Sequence, residues 1–327
     1  MSARPVALVT GVTGQDGVHL ARLLVAEGCR VIGTHRPGSP AAAAMRPYLR
    51  EVELVGLDLC DEEGFASLVR DVRPAEVYNL AAMSSVGQSW QEPEAAMALN
   101  GAAPTAMLRA LEAVPQARFL QAASAEQSGE AAASPYARGK RLGHEAVVAA
   151  RDSGRFAVAA VLHIHESPLR RPTFVVRKIT RAAAAISLGR QQRLTLGSLG
   201  IRRDWGAAAD HVRAMRLMLA SDTPADHEVA TGVLTSLSTV VELAFAAAGI
   251  SDPWTLVDFD EALERPVDAA VLAGDPAPLR SALGWEPRHS LAETVAAMVA
   301  VDRERLVSGV EEAEHYLDRL RTSPAAP

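Results

Sequence analysis

Cysteine is nearly absent from this chain, with Cys29 and Cys60 the only two. That excludes a disulfide framework and a cysteine-built metal site. Both flank predicted strands and are expected to be buried thiols. An excess of basic charge is missing as well. The net charge of −6 gives no general reason to expect nucleic acid or a membrane surface as partner. No apolar run approaches the roughly 18 residues that span a bilayer. The N-terminus enters a strand at once, without the features of a signal peptide, so the expected location is the cytoplasm. Linkers and repeats are lacking, and only the C-terminal TSPAAP is expected to fray. What remains is a chain of 327 residues, 49% hydrophobic and 22% charged, long enough for a large core and one or two domains.

The first half alternates strands and helices. Residues 5–10 (PVALVT) form a short apolar run, as suits a parallel strand buried on both faces. A turn with Gly11, Gly14 and Gly17 follows, then an amphipathic stretch, HLARLLVAEG. Strand, glycine-rich turn and helix is the setting of a dinucleotide site. The glycines let the backbone approach a pyrophosphate, which rests on the helix N-terminus. Further strands are expected at 29–34, 51–55, 76–80, 117–122 and 156–162, and helices at about 92–113, 135–151 and 309–320. This alternation predicts an α/β fold, a doubly wound parallel sheet of Rossmann type. Right-handed crossovers then bring the carboxyl ends of the strands to one edge.

That edge collects the residues with chemistry. A site for NAD would carry Asp or Glu near the end of the second strand. Thr34, His35 and Arg36 stand there instead. A guanidinium pairs bidentately with phosphate, so Arg36 points to the 2′-phosphate of NADP. Asp58 and Leu59 follow the third strand; Leu80 ends the fourth, and Ala81, Ala82 and Ser84 follow it, where a ribose and nicotinamide would lie. The fifth strand delivers Ser124 and Glu126. Tyr136 and Lys140, four residues apart on a predicted helix, share one face. The ammonium favours a phenolate and can draw a tyrosine pKa down from about 10. Such a tyrosine can take the proton of a sugar hydroxyl while hydride leaves the same carbon. Ser124 could hydrogen-bond that hydroxyl, and Glu126 is a second acid/base group. A Tyr–Lys pair is also common on ordinary surface helices, so its weight comes from the glycine turn upstream.

The GxxGxxG spacing resembles the short-chain dehydrogenase/reductase superfamily, and Asp58-Leu59 resembles its adenine-contacting pair. The second half adds HESP at 165–168, then Arg170, RKI at 177–179, RRDWG at 202–206, RPVD at 265–268 and LGWEP at 283–287. With TGVTGQDG at 10–17, these resemble the GDP-mannose 4,6-dehydratase family over nearly the whole chain. The resemblance implies an NADP-binding Rossmann domain, 1–163 plus about 206–232. It implies a smaller nucleotide-sugar domain, 164–205 and 233–327. Implied catalytic residues are Ser124, in place of the family's Thr, with Glu126, Tyr136 and Lys140. Implied cofactor contacts in the glycine turn are Gly11, Thr13, Gly14, Gln15, Asp16 and Gly17. Arg36, Asp58, Leu59, Leu80, Ala81, Ala82 and Ser84 continue that set, and Tyr136, Lys140, His165 and Arg170 complete it. The sugar is expected on Ser84, Ser85, Glu126 and Asp268, with Lys178, Arg203 and Arg265 around the nucleotide diphosphate.

Several positions depart from the family. Its Asn before HESP is Ile164, its Gln after the fourth strand is Met83, and its Tyr in the next helix is Ala95. A Glu becomes Asp268, a second Arg becomes Pro37, and the link from Glu126 to Tyr136 is short. The implied reaction is a GDP-sugar 4,6-dehydration through bound NADP, giving a 4-keto-6-deoxy sugar. The alternative is a nucleotide-sugar epimerase or reductase acting on a modified GDP-sugar of antibiotic or polysaccharide synthesis. That reading needs Tyr136 and Lys140 but not Glu126. A non-catalytic NADP-binding regulator is the third reading, and the presence of Tyr136, Lys140 and Glu126 opposes it. The resemblance also implies a homodimer or homotetramer, with helices 92–113 and 135–151 meeting across a two-fold axis.

Overall fold

In a computed structural model, which describes residues 4–263 and 271–320, the chain divides into two compact units. Among the described residues the first unit takes 4–163, 211–229 and 275–285, and the second takes the rest. The stretch 275–285 was expected with the second domain. It belongs to the first because Trp285 is fully buried there, edge-on to His211. Strands β1 to β6 run Val6–Thr10, Arg30–His35, Glu53–Gly56, Glu76–Asn79, Arg118–Ser124 and Ala157–Leu162. Then come β7 (Ile164–Glu166), β8 (Leu194–Leu196), β9 (Arg202–Ala207), β10 (His227–Val229), β11 (Leu234–Ser236), β12 (Val257–Phe259) and β13 (Val271–Leu272).

The first unit carries a seven-stranded sheet in the order β10-β6-β5-β4-β1-β2-β3, parallel throughout. Its strands are short and apolar on both faces because helices cover both sides. Leu8, Ile32, Phe65, Val77, Met107 and Phe119 form the centre of its core. Strand order reverses between β1 and β4. At such a switch point the flanking helices diverge and open a crevice beyond the strand ends, the usual ligand position in this architecture.

The helix expected at 92–113 is one helical stretch with a defect. Pro93–Met97 and Ala103–Ala110 are α-helical, Ala98–Ala102 is a π turn, and Leu111–Ala113 is a closing 3-10 turn. Two other expectations need correction. Cys29 is buried but Cys60 is exposed, because Leu59 takes the inward position past β3. The helix expected at 309–320 does not form as such. Gly309 takes φ 72°, the left-handed conformation that ends the preceding helix Leu291–Ser308, and only Glu314–Leu320 coils again, as a 3-10 helix.

In the second unit β9 pairs with β7 and β13 in parallel and with β11 antiparallel, while β8 and β12 form a separate parallel pair. Helices Val175–Ser187, Leu237–Ala247 and Leu291–Ser308 cover a core that includes Trp205, Val241, Phe245 and Met298. Among the described residues no helix is long and apolar enough to cross a membrane.

Candidate active site

The glycine turn forms a cradle at the end of β1. Gly11 has φ 66°, and a Cβ there would lie 2.8 Å from the Ala81 Cα, inside any allowed contact. A Cβ on Gly17 would lie 2.4 Å from the Gly11 carbonyl oxygen, so only glycine lets the helix Gln15–Ala26 start this close to the turn. Gly14 caps that helix without a side-chain hydrogen bond, so the start of the helix presents backbone rather than side chain to the turn. These features fit a dinucleotide diphosphate on the positive end of a helix dipole. Around the cradle, Leu57 N–H donates to the His35 carbonyl at 2.9 Å, which brings exposed Arg36 and Asp58 to one edge. Thr13, Leu80, Ala82 and Ser85 are part-buried at this end of the sheet, and Ser84 is exposed.

A buried polar chain ties the strand ends together. Thr10 Oγ1 donates to Asn79 Oδ1 at 2.5 Å, and Asn79 Nδ2 donates to Gln121 Oε1 at 2.8 Å. Ala81 N–H returns to Thr10 Oγ1 at 3.2 Å. Asn and Gln are rare in fully buried strands unless paired. Their presence in the apolar runs of β4 and β5 is the one sequence signal for this hydrogen-bonded chain.

Ser124 ends β5 and is 6% exposed. Its Oγ accepts the Glu126 N–H at 3.2 Å, so the two candidate catalytic residues share one turn, Ala125–Gln127. Tyr136 opens the helix Pro135–Asp152, capped by Ser134 Oγ on the Ala137 N–H. Tyr136 N–H also donates to the fully buried Ser89 Oγ at 3.1 Å, which anchors the start of that helix. Lys140 lies one turn on, with Nζ 5.9 Å from the Tyr136 ring centre and donating to the Ala122 carbonyl at 2.6 Å. Burial pushes the Lys140 ammonium down from its ordinary 10.5 to about 8, against the pull of the Asp16 carboxylate. A lysine so placed is a fixed charge beside a phenol, which lowers the cost of a phenolate.

The helix bearing Tyr136 and Lys140 rests directly on the π turn. A Cβ on Gly139 would lie 2.9 Å from Asn100 Cβ, and one on Gly143 would lie 2.7 Å from the Asn100 carbonyl oxygen. Asn100 in turn holds the loop after β4, accepting from Met83 N–H at 2.8 Å and donating to the Met83 carbonyl at 3.1 Å. π turns recur at functional sites because they aim one side chain out of helical register. Sequence periodicity gave no warning of this one.

In the second unit, His165 is buried on β7 and Arg170 sits 3.4 Å from the buried Glu166 carboxylate. The Arg170 guanidinium stacks 3.7 Å above the Phe174 ring centre. A buried ion network fixes this loop. Arg177 Nη1 donates to the carbonyls of Pro168 at 2.7 Å and Arg170 at 2.8 Å, and pairs through Nη2 with Asp302 at 2.7 Å. Burial pushes the Asp302 carboxyl up despite the Arg177 and Arg305 guanidiniums. A cleft of about 590 Å³ is lined by Lys178, Arg181, Arg190 and Arg193, a cationic set suited to a phosphate-bearing ligand. Arg203 is not in that lining; it is buried on β9 and donates to the Arg202 carbonyl at 2.9 Å. Arg265 and Asp268 lie outside the described residues.

The sequence model of the family described as GDP-mannose 4,6 dehydratase matches residues 8–298. A GDP-mannose 4,6-dehydratase from Sinorhizobium fredii is 37% identical, covering 92% of this chain and 97% of that protein. Among solved structures, a dTDP-glucose 4,6-dehydratase from Streptomyces venezuelae with NAD bound matches with TM-score 0.79 at 22% identity, over 92% of this chain and 98% of that one. A protein from Pseudomonas aeruginosa named RMD, complexed with NADPH, matches with TM-score 0.74 at 22% identity, over the same shares. At that identity the two structures establish the fold alone.

Proposed function

The chain belongs to the GDP-mannose 4,6-dehydratase family, and from that membership we infer that it dehydrates a GDP-sugar to the 4-keto-6-deoxy sugar with a bound nicotinamide dinucleotide. The observation that carries this reading is one strand edge holding the Ser124–Glu126 turn, the Tyr136–Lys140 pair and the glycine cradle. When bound, the nicotinamide supplies transient oxidation at C4 and the matching reduction at C6. The cradle at Gly11, Gly14 and Gly17 would hold the diphosphate, and Arg36 favours NADP over NAD because no carboxylate stands at the end of β2. Lys178 and Arg203 are assigned to the nucleotide diphosphate of the sugar substrate, and His165 and Arg170 to the cofactor.

Tyr136, its phenolate favoured by Lys140, takes the proton of the C4 hydroxyl. Ser124 donates a hydrogen bond to the oxygen there. A ketone at C4 acidifies C5–H, and Glu126 removes that proton. Glu126, now protonated, gives its proton to the departing C6 hydroxyl, so water leaves and the carboxylate is restored. As C6 is reduced, the proton held by Tyr136 returns to C5, which restores the phenolate. Removal of such a group costs roughly 10²–10⁴-fold. Glu126→Gln is therefore expected to lose about that factor in turnover while retaining cofactor. The test is mass spectrometry of the product from GDP-mannose or a related GDP-sugar. The wild-type product should be lighter by one water, with no net consumption of oxidised cofactor. A product of unchanged mass and inverted stereochemistry would establish an epimerase instead.

A further inference from the structure

Outside this site, a second polar chain leads back to it. Gln127 is the residue after Glu126, in the same 3-10 turn. Its Nε2 lies 2.7 Å from His144 Nδ1. His144 Nε2 lies 2.9 Å from Asp226 Oδ2. Asp226 also receives the Arg151 guanidinium in a two-pronged pair, at 2.6 and 2.8 Å, and the Ala159 N–H at 2.7 Å. His144 stands two turns beyond Tyr136 and one beyond Lys140 on the same helix.

The direction of the chain follows from Asp226. Burial pushes its carboxyl up, but the hydrogen bonds from His144, Arg151 and the Ala159 N–H outweigh this and hold it well below the ordinary range. It is therefore an acceptor only. His144 must donate Nε2–H to it, which leaves Nδ1 as the acceptor facing the Gln127 Nε2. That acceptor orients the Gln127 amide, NH₂ inward. The Gln127 Oε1 is buried without a hydrogen-bond partner, so the His144 contact holds this amide. The turn needs such an anchor. Between it and the Tyr136 helix lie only seven residues, 128–134, with Gly129 at φ 64°.

We propose that His144 is a positioning residue for Glu126, acting through Gln127 and fixed in its tautomer by Asp226. This rests on the reading of Glu126 as the acid/base group. A carboxylate that must first take a carbon-bound proton and then return it to a leaving hydroxyl needs a fixed direction. Small misplacements of such groups carry large rate costs.

Two variants, Gln127→Leu and His144→Phe, test the inference in the cofactor-loaded enzyme. Hydrogen exchange should accelerate in the backbone amides of residues 125–128 and stay unchanged in the Tyr136 helix. Turnover of GDP-mannose should fall about 10-fold with KM unchanged, below the roughly 10²–10⁴ of losing the acid/base group itself. The kinetic isotope effect from C5-deuterated GDP-mannose should rise, since the slowed step is C5 deprotonation. The double variant should lose no more than either single one, because both cut the same chain. Unchanged exchange at 125–128, a change in KM alone, or an unaltered isotope effect would each overturn the proposal. If the wild type yields no dehydrated product, the functional reading falls together with the catalytic part of this one. The exchange measurement then still decides whether the tether exists.

Discussion

Lys140 shows at the scale of one residue how a site works against the fold that holds it. Its pKa falls from 10.5 to about 8 on burial. Between those values the unfolded chain binds more protons than the folded one, so stability should rise as pH climbs from about 8 to 10.5. Below about pH 8 the buried charge costs the fold about 3 kcal/mol, at roughly 1.4 kcal/mol per pK unit. Lys140→Met removes that cost and forfeits the hydrogen bond to the Ala122 carbonyl, worth about 1 kcal/mol. The variant should thus gain about 2 kcal/mol at pH 7, lose the gain above pH 10.5, and lose turnover. Denaturant melts at the two pH values check this, and an equal gain at both would refute it. Arg36 makes a separate prediction. Exposed at the end of β2, it is assigned to a 2′-phosphate. Arg36→Ala should weaken NADP by roughly 1.5–3 kcal/mol, the scale of a charged hydrogen bond, and leave NAD nearly untouched. Calorimetric titration with both cofactors measures the difference, and equal losses for the two would remove the assignment.

Among the elements, the packing of the Pro135–Asp152 helix on the π turn makes the sharpest demand on sequence. Gly143→Ala should gain up to about 1 kcal/mol in helix propensity. The new Cβ would meet the Asn100 backbone oxygen at 2.7 Å, and overpacking of that kind costs about 1–3 kcal/mol. The net expectation is destabilisation. Gly87→Ala, at an exposed position of the helix Val86–Gln91, is the contrast. Its nearest neighbour would be 3.9 Å away, so it should stabilise by roughly 0.5–1 kcal/mol. Chemical denaturation of both variants decides, and a Gly143→Ala as stable as wild type would mean the helix has room to move. The two glycines look alike in sequence. What separates them is a contact with a segment some forty positions upstream, which no local pattern encodes.

Across the whole molecule, what was legible follows the range of the forces involved. The cradle could be read because Gly11, Gly14 and Gly17 serve one turn between a strand and its own helix. The sheet could be read because each strand carries its burial in a short apolar run. Asn100 on Met83, and Gln127 on His144 on Asp226, could not, since each joins residues brought together only by the fold. Assembly belongs to the same class, and we propose a two-fold dimer through the helices that follow β4 and carry Tyr136. Trp90 is 47% exposed on the helix Val86–Gln91, just before the expected interface helix, and Leu142 is 43% exposed on the helix Pro135–Asp152. A two-fold axis sets each patch against its own copy, so one substitution acts twice. Burying a side chain of this size contributes about 1.5–3 kcal/mol, hence about 3–6 kcal/mol for the pair of copies. Trp90→Glu should therefore raise the dimer dissociation constant by roughly two to four decades. Leu217→Glu removes a similarly exposed apolar side chain from another helix of the same unit and should leave assembly intact. Sedimentation at micromolar concentration separates the two variants. A wild-type monomer, or equal dissociation by both substitutions, would show that this face is not the interface.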